Sequence, residues 1–217
     1  MTGDYIEINY NDFGTWNRSS ISEGLLIADS DGTFLDVTYP GSPWSLLAVE
    51  YDIDTTGYTY YGSSYSEVAT YTVNDESDLS DGTTLTSAYD LTAGDLNVIK
   101  TETWEEDDTI VSIEFQITND GVDTLENVRV FYAFDPDQDY DSDGVYTTYN
   151  DVTDTDGDGD NDWGSSEGTS SGITVGFGAC DDDAQEIGHF SGWSTVADAD
   201  TTLSDDDGVS GDSALGW

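Results

Sequence analysis

Along this chain apolar residues recur at every second position in short runs, and Gly, Asn, Asp and Ser break the runs. That period puts alternate side chains on opposite faces of an extended strand, and helical spacing is nearly absent. Tyr5-Ile-Glu-Ile-Asn-Tyr10 alternates, and Leu46-Leu-Ala-Val-Glu-Tyr-Asp-Ile53 reads as a more buried strand. Val68–Val73 and Thr84–Tyr89 read as short strands joined through a turn at Asp81-Gly82. Residues 95–134 read as a meander, with Val111, Ile113, Phe115 and Ile117 on one face. A loop at Glu105-Glu-Asp-Asp108 would set Trp104 opposite Thr109, Val98 opposite Phe115 and Leu96 opposite Ile117. That register matches apolar with apolar, and a slip of one residue would turn the whole set to the other face. Asn119-Asp-Gly121 then turns the chain into Leu125–Phe134.

Many short strands, turn signals between them and no helices predict an all-β antiparallel β-sandwich with long loops and little or no helix. Trp44, Trp104, Phe115 and Phe131 are expected in its core, and the glycines of 172–178 suggest close backbone approach along a further core strand. Neither an internal repeat nor a linker divides the sequence, so residues 1–217 are read as one domain. The tail 198–212 is rich in Ser, Asp and Gly and reads as a loop.

Charge changes the picture. The chain holds 48 Asp and Glu against 3 Lys and Arg, for a net charge of −45. Arg18, Lys100 and Arg129 are the whole basic inventory, which excludes nucleic-acid binding through phosphate neutralisation and docking on anionic lipid. No run reaches the length of a membrane-crossing helix, so no membrane insertion is expected. Met1-Thr-Gly-Asp-Tyr5 shows no basic segment followed by an apolar run, so an export signal is expected to have been removed.

Asp outnumbers Glu 36 to 12, and residues 135–162 hold 11 carboxylates, all of them Asp. Adaptation to salt would spread acids over the surface, whereas cation binding concentrates Asp in loops. Both causes are expected here. The first ladder is Asp135, Asp137, Asp139, Asp141 and Asp143, and the second is Asp154, Asp156, Asp158, Asp160 and Asp162. Carboxylates about 6 Å apart repel by roughly 3 kcal/mol per pair at an effective dielectric near 20, so a folded ladder calls for counter-charge. Each ladder contains D-x-D-x-D-G, the opening of a calcium loop, at Asp139–Gly144 and at Asp154–Gly159. The position that should carry a closing Glu is Asn150 in one and Ser165 in the other, and flanking helices are missing, so these are not EF-hands. Thr147, Asn150 or Asp151 could close the first site, and Asp160, Asp162 or Glu167 the second. Calcium is the expected cofactor, and the expected setting is extracellular or at a cell surface, where millimolar calcium is available.

Catalysis is not expected. Gly164-Ser-Ser166-Glu-Gly168 matches G-x-S-x-G, but the strand-to-helix context of a nucleophile elbow is absent. His189, the sole imidazole, is read as a surface or loop residue, and Cys180 beside Asp181-Asp-Asp183 has its thiolate disfavoured.

Ile117-Thr-Asn-Asp-Gly121, Leu125–Asp139 and Tyr146-Thr-Thr-Tyr-Asn150 together resemble the calcium-dependent ligand-binding (peptide-binding) β-sandwich domains of large bacterial RTX-type adhesins. Related-looking modules occur in secreted Asp-rich metal-binding surface proteins. The resemblance spans about residues 95–180 and implies calcium near a site that grips a peptide end. It implies Asp135, Asp137, Asp139 and Asp143 as ligands to calcium, with Gln138, Tyr146 and Asn150 as ligand-binding contacts. The expected function is adhesion or binding of a peptide or glycan on another surface, with exposed tyrosines of Gly57–Gly62 and Tyr146/Tyr149 as contacts. The alternative is a subunit of an extracellular filament or surface layer, in which calcium bridges like subunits and Tyr5–Tyr10 adds a strand to its neighbour.

Overall fold

The computed structural model describes residues 1–16, 23–38, 44–64, 68–154, 162–179, 187–190, 209–211 and 214–216. The strands, in chain order, are β1 (Ile6–Ile8), β2 (Leu25–Ala28), β3 (Phe34–Asp36), β4 (Ser45–Ile53), β5 (Thr56–Ser63) and β6 (Val68–Ala69). They continue with β7 (Thr72–Asp78), β8 (Thr84–Ala93), β9 (Leu96–Glu105), β10 (Ser112–Asn119) and β11 (Glu126–Phe134). A single helical turn, α1 (Tyr140–Asp143), precedes β12 (Thr148–Thr153), β13 (Trp163–Gly168) and β14 (Thr174–Gly178). The series closes with β15 (Gly188–Phe190), β16 (Val209–Gly211) and β17 (Ala214–Gly216).

Four antiparallel sheets result, with strand orders β1-β2-β3, β10-β9-β8-β7, β15-β17-β11-β4-β5-β6 and β14-β13-β12-β16. Their inner faces meet in one core that takes residues from all four, among them Ile8, Leu25, Leu47, Val49, Leu91, Val98, Trp104, Tyr132, Phe134, Val175 and Leu215. Phe115 of β10 meets Tyr132 of β11 edge-on at 6.1 Å, which sets the four-stranded sheet face to face with the six-stranded one. The fold is therefore an all-β, sandwich-like arrangement. Alternation drives it: inward positions of β9 (96, 98, 100, 102 and 104) are all buried and the intervening ones are not. The opposite face of β4 and β11 is covered as well, around Trp44, Leu46, Ala48, Phe131 and Ala133. Among the described residues no helix is long and apolar enough to cross a membrane.

Several expectations are corrected. The β9–β10 register is two residues away from the predicted one, with Phe115 opposite Lys100, Ile117 opposite Val98 and Asn119 opposite Leu96. Parity is kept, so the faces are as predicted. The connection is longer because Glu105 stays paired with Thr84 of β8, and Asp108 then folds the loop by accepting from the N–H groups of Thr109 and Ile110. Segment 95–134 is not a continuous meander, because β11 leaves β10 and pairs with β4 in the other sheet. β14 is an edge strand that still delivers Val175 and Phe177 to the core as expected, whereas 209–211 of the tail is strand β16. Tyr5–Tyr10 is not free to join a neighbour. β2 pairs with one side of β1, and Ile8 N–H donates to Met1 C=O on the other.

The inward face of β9 carries the least expected feature. Lys100 Nζ lies 2.6 Å from Glu102 Oε1, both fully buried. The ammonium also donates to Gly14 C=O at 2.6 Å and Tyr132 Oη at 3.1 Å, and sits 4.4 Å from the Tyr132 ring centroid. Glu102 in turn accepts from Tyr10 and from Trp16 Nε1. Gly14 has φ +74° and its Cα faces the Tyr89 ring, where a Cβ would fall 2.9 Å from Cγ. The pair thus ties the N-terminal segment to both large sheets.

Candidate functional site: the acidic junction and the face beside it

The first Asp ladder begins as an extension of β11. Asp135 N–H donates to Trp44 C=O, Pro136 bridges Thr38, and Asp137 N–H donates to Val37 C=O. Ladder spacing is also strand spacing, so this half runs as paired backbone rather than as an open loop. Asp135, Asp137, Gln138 and Asp139 are each 5% exposed or less, and so is Asp36 at the end of β3. Asp36 accepts from Thr38 N–H and Oγ1 at 3.0 and 2.7 Å and from Gly24 N–H at 3.3 Å, while its own N–H donates to Asp141 Oδ2. Burial pushes its carboxyl up to about 7 against those bonds, with the Asp141 charge adding to the rise.

The second half of the ladder is the helical turn α1, with Asp139 at its N-cap and Gly144 closing it in the left-handed region at φ 68°. Asp139 turns its carboxylate toward the β13–β14 turn, accepting from Ser170 N–H at 2.7 Å and Ser171 N–H at 2.9 Å. Its burial alone would raise the carboxyl, but the bonds from Ser171, Ser170 and Thr169 outweigh it and hold the pKa below the usual value. Asp141 and Asp143 are exposed.

Beyond α1 lies a buried polar knot. Gln138 Nε2 donates to Ser166 C=O at 2.6 Å, and Asn150 Oδ1 accepts from Thr148 Oγ1 and Ser166 Oγ, each at 2.9 Å. His189 Nε2 stands 3.3 Å from Ser166 Oγ and 3.1 Å from Ser165 C=O. His189 is therefore a fully buried strand residue, not the surface or loop residue expected. The serine of the G-x-S-x-G match does reach an imidazole, through a strand crossing that sequence spacing did not reveal. The serine hydroxyl instead donates to Asn150 Oδ1, and the imidazole nitrogen facing it also faces the Ser165 carbonyl. Both side chains are wholly buried, and the pair joins β13 to β15.

Gln138 and Asn150, two of the three expected ligand contacts, thus meet at Ser166 inside the protein. Among the described residues, Gln138 Oε1 and Asn150 Nδ2 have no hydrogen-bond partner. The third, Tyr146, is 40% exposed and packs on Tyr140 at 4.7 Å between ring centroids. Of the remaining candidate ligands, Asp151 is half-buried on β12, Asp154 is exposed at its end and Asp162 is half-buried before β13. Asp156, Asp158 and Asp160 lie outside the described residues. Thr147 and Glu167 are exposed, and Glu167 accepts from Thr174 Oγ1. Among the described residues no three His, Cys, Asp or Glu side chains form a metal-ligand group. Within the first ladder, the Asp139 carboxylate is taken up by Ser170 and Ser171 N–H, and Asp135 and Asp137 lie on paired backbone. The second ladder is anchored at its base, where Asp162 N–H donates to Thr153 C=O and Thr153 pairs with Trp163.

Of the basic residues, Lys100 is bound to Glu102, and Arg129 stands opposite Glu50, six residues up an extended strand from Asp135, or about 20 Å. Arg18 lies outside the described residues.

The outer face of the β12–β13–β14 sheet borders this junction; of its residues, Tyr149 was expected from sequence as an exposed contact and Trp163 was not. In register it presents Tyr149, Asp151 and Thr153, then Glu167, Ser165 and Trp163, then Thr174, Gly176 and Gly178. Trp163 is 42% exposed and Tyr149 47%. The indole lies across β14: a Cβ at Gly176 would fall 2.8 Å from its Cζ2, and one at Gly178 2.9 Å from its Cε3. Gly176 and Gly178 serve the close approach predicted for the glycines of 172–178, with an aromatic ring as the occupant, whereas Gly172 faces open space at a left-handed turn. By contrast, Tyr58 and Tyr60 stack on Tyr51 at 5.3 and 6.1 Å, and Tyr51 Oη accepts from Asp95 N–H. Of that tyrosine run, only Tyr58 is largely exposed.

Compared with protein-family models, curated proteins and solved structures, the chain matches none.

Proposed function

We propose that this chain is a calcium-stabilised extracellular β-sandwich module that binds a peptide or glycan on another surface. The observation that carries the reading is the Trp163–Tyr149 face. An indole laid flat on two glycines, with small and polar neighbours, offers an open apolar plane edged by acceptors. Planes of this kind suit the C–H face of a sugar ring or the aromatic and proline side chains of a peptide. Neutral or cationic ligands are favoured, since a charge of −45 repels anions.

Calcium is assigned to the second ladder on its sequence, in which five aspartates and a glycine keep calcium-loop spacing, and Asp162 N–H donates to Thr153 C=O beside it. The resemblance of Ile117–Asn150 to adhesin ligand-binding domains points the same way.

Glycan and peptide arrays probed in calcium and in EDTA test the reading. Binding in calcium that is lost in Trp163→Ala, with the melting temperature of that variant within a few degrees of the parent, is the expected result. No ligand on either array in calcium, or binding indifferent to Trp163, overturns it.

A further inference from the structure

The β10-β9-β8-β7 sheet has two edges, and they differ in kind. β7 bears Asp75, Glu76 and Asp78 in seven residues and is broken by an irregularity between Val73 and Asp75. Charges and bulges of this sort stop an edge strand from pairing with another chain. β10 has neither. It runs eight residues in unbroken register with β9 and carries one carboxylate, Glu114, in a protein where 48 of 217 residues are acidic. Among the described residues no strand pairs with its outer side. Its inward side chains are incompletely covered: Ile113 and Phe115 are half-buried and Ile117 is 39% exposed.

We infer that β10 is a self-pairing edge, joining two copies of this chain about a two-fold axis through Phe115. The sequence of the strand selects the occupant and the register. Antiparallel pairing centred on Phe115 sets Ile113 against Ile117, Phe115 against Phe115 and Ile117 against Ile113. On the other face it sets Ser112 against Thr118 and Glu114 against Gln116, so no like charges are opposed. Moving the centre to Glu114 opposes the two glutamates, and moving it to Gln116 leaves Ile113 against Asn119. Of these registers, only the one centred on Phe115 satisfies both faces, and it pairs seven of the eight strand residues. The result is a continuous eight-stranded sheet in which the half-covered margin of each core is closed by the other copy. The contact is isologous, so assembly stops at two. It needs neither calcium nor the Trp163 face, and goes beyond the function proposed above.

Gln116 gives a register-specific test, because its side chain is exposed on the outer face and takes no part in the core. The full chain is examined by sedimentation equilibrium in EDTA over a series of sodium chloride concentrations that screen its net charge. Reversible dimers that strengthen with salt are expected. Gln116→Lys sets an ammonium against Glu114 of the other copy twice per dimer and should raise the association constant about threefold or more at moderate salt. Gln116→Glu opposes like charges twice and should lower it by a similar factor, the two effects converging at high salt. Monomers throughout the series, growth beyond the dimer, or equal effects of the two variants would each overturn the inference.

Discussion

Replacing Lys100 by Met tests whether the core depends on the buried Lys100–Glu102 ion pair. The methionine keeps the length of the aliphatic stem but removes the ammonium. Glu102 then stays fully buried with its charge uncompensated, although Tyr10 and Trp16 still donate to it. Breaking one side of a buried pair costs about 3–5 kcal/mol, a large part of a typical total of about 5–15 kcal/mol. Gly14 C=O loses its donor as well, so the N-terminal segment is loosened first. The second variant decides the cause. In Lys100→Met/Glu102→Gln the side chain at 102 can still accept from Tyr10 and Trp16 but is neutral. The double variant should therefore be more stable than the single one, by about 1–2 kcal/mol. Adding a second core substitution that restores stability is a sign no simple packing account gives. Urea unfolding followed by tryptophan fluorescence at neutral pH measures both variants. A loss below about 1 kcal/mol in the single variant, or a double variant weaker than the single, would refute the reasoning.

Four further outcomes are expected. Removing calcium with EDTA should lower the melting temperature by several degrees, since a ligand at 100 times its dissociation constant adds about 2.7 kcal/mol, whereas magnesium at equal ionic strength should restore less; an unchanged melt removes calcium from the account. Asp139→Asn should cost about 1.5–3 kcal/mol through its bonds to Ser170 and Ser171 N–H, equally with and without calcium. A calcium-dependent cost measured by denaturation would instead make Asp139 a ligand. On alkaline titration followed by tyrosinate absorbance, Tyr10, Tyr71, Tyr89 and Tyr132 should ionise only as the fold opens, because burial raises each well above 10. Their contribution is intact below the unfolded value near 10 and is lost as pH climbs past it; all 14 tyrosines titrating together in folded protein would contradict this. Gly14→Ala should be destabilising by about 1–3 kcal/mol from positive φ and contact with the Tyr89 ring, and a neutral result by thermal melting would show that the segment yields.

How much was legible follows from what each signal encodes. Alternation specifies faces, and the faces of β4, β8, β9 and β10 were readable because parity survives a shift of two residues. It does not specify which strand lies alongside, so Asn119-Asp-Gly121 reads equally as a hairpin turn or as the crossing to β4 that it makes. Lys100 and Glu102 were visible in Leu96-x-Val98-x-Lys100-x-Glu102-x-Trp104, where two opposite charges hold inward positions of an otherwise apolar stripe. Aspartate at every second residue was ambiguous for a physical reason. Calcium loops and paired strands share that spacing, and at 135–137 the strand prevailed because Val37 and Thr38 offered it a partner. The Ser166–His189 contact depends on β13 and β15 meeting across sheets, which no local pattern records. Trp163 was legible only together with its glycines, since either signal alone has many explanations.

The isolation of Lys100 makes the protein its own reporter. No other lysine exists in the chain, and this one is sealed beneath Tyr10, Tyr89 and Tyr132. An acylating reagent will add its mass to that amine only in molecules whose sheets have parted. The rate at which one adduct accumulates on the peptide around residue 100 therefore times the opening of the sandwich, with no label, probe or substitution introduced.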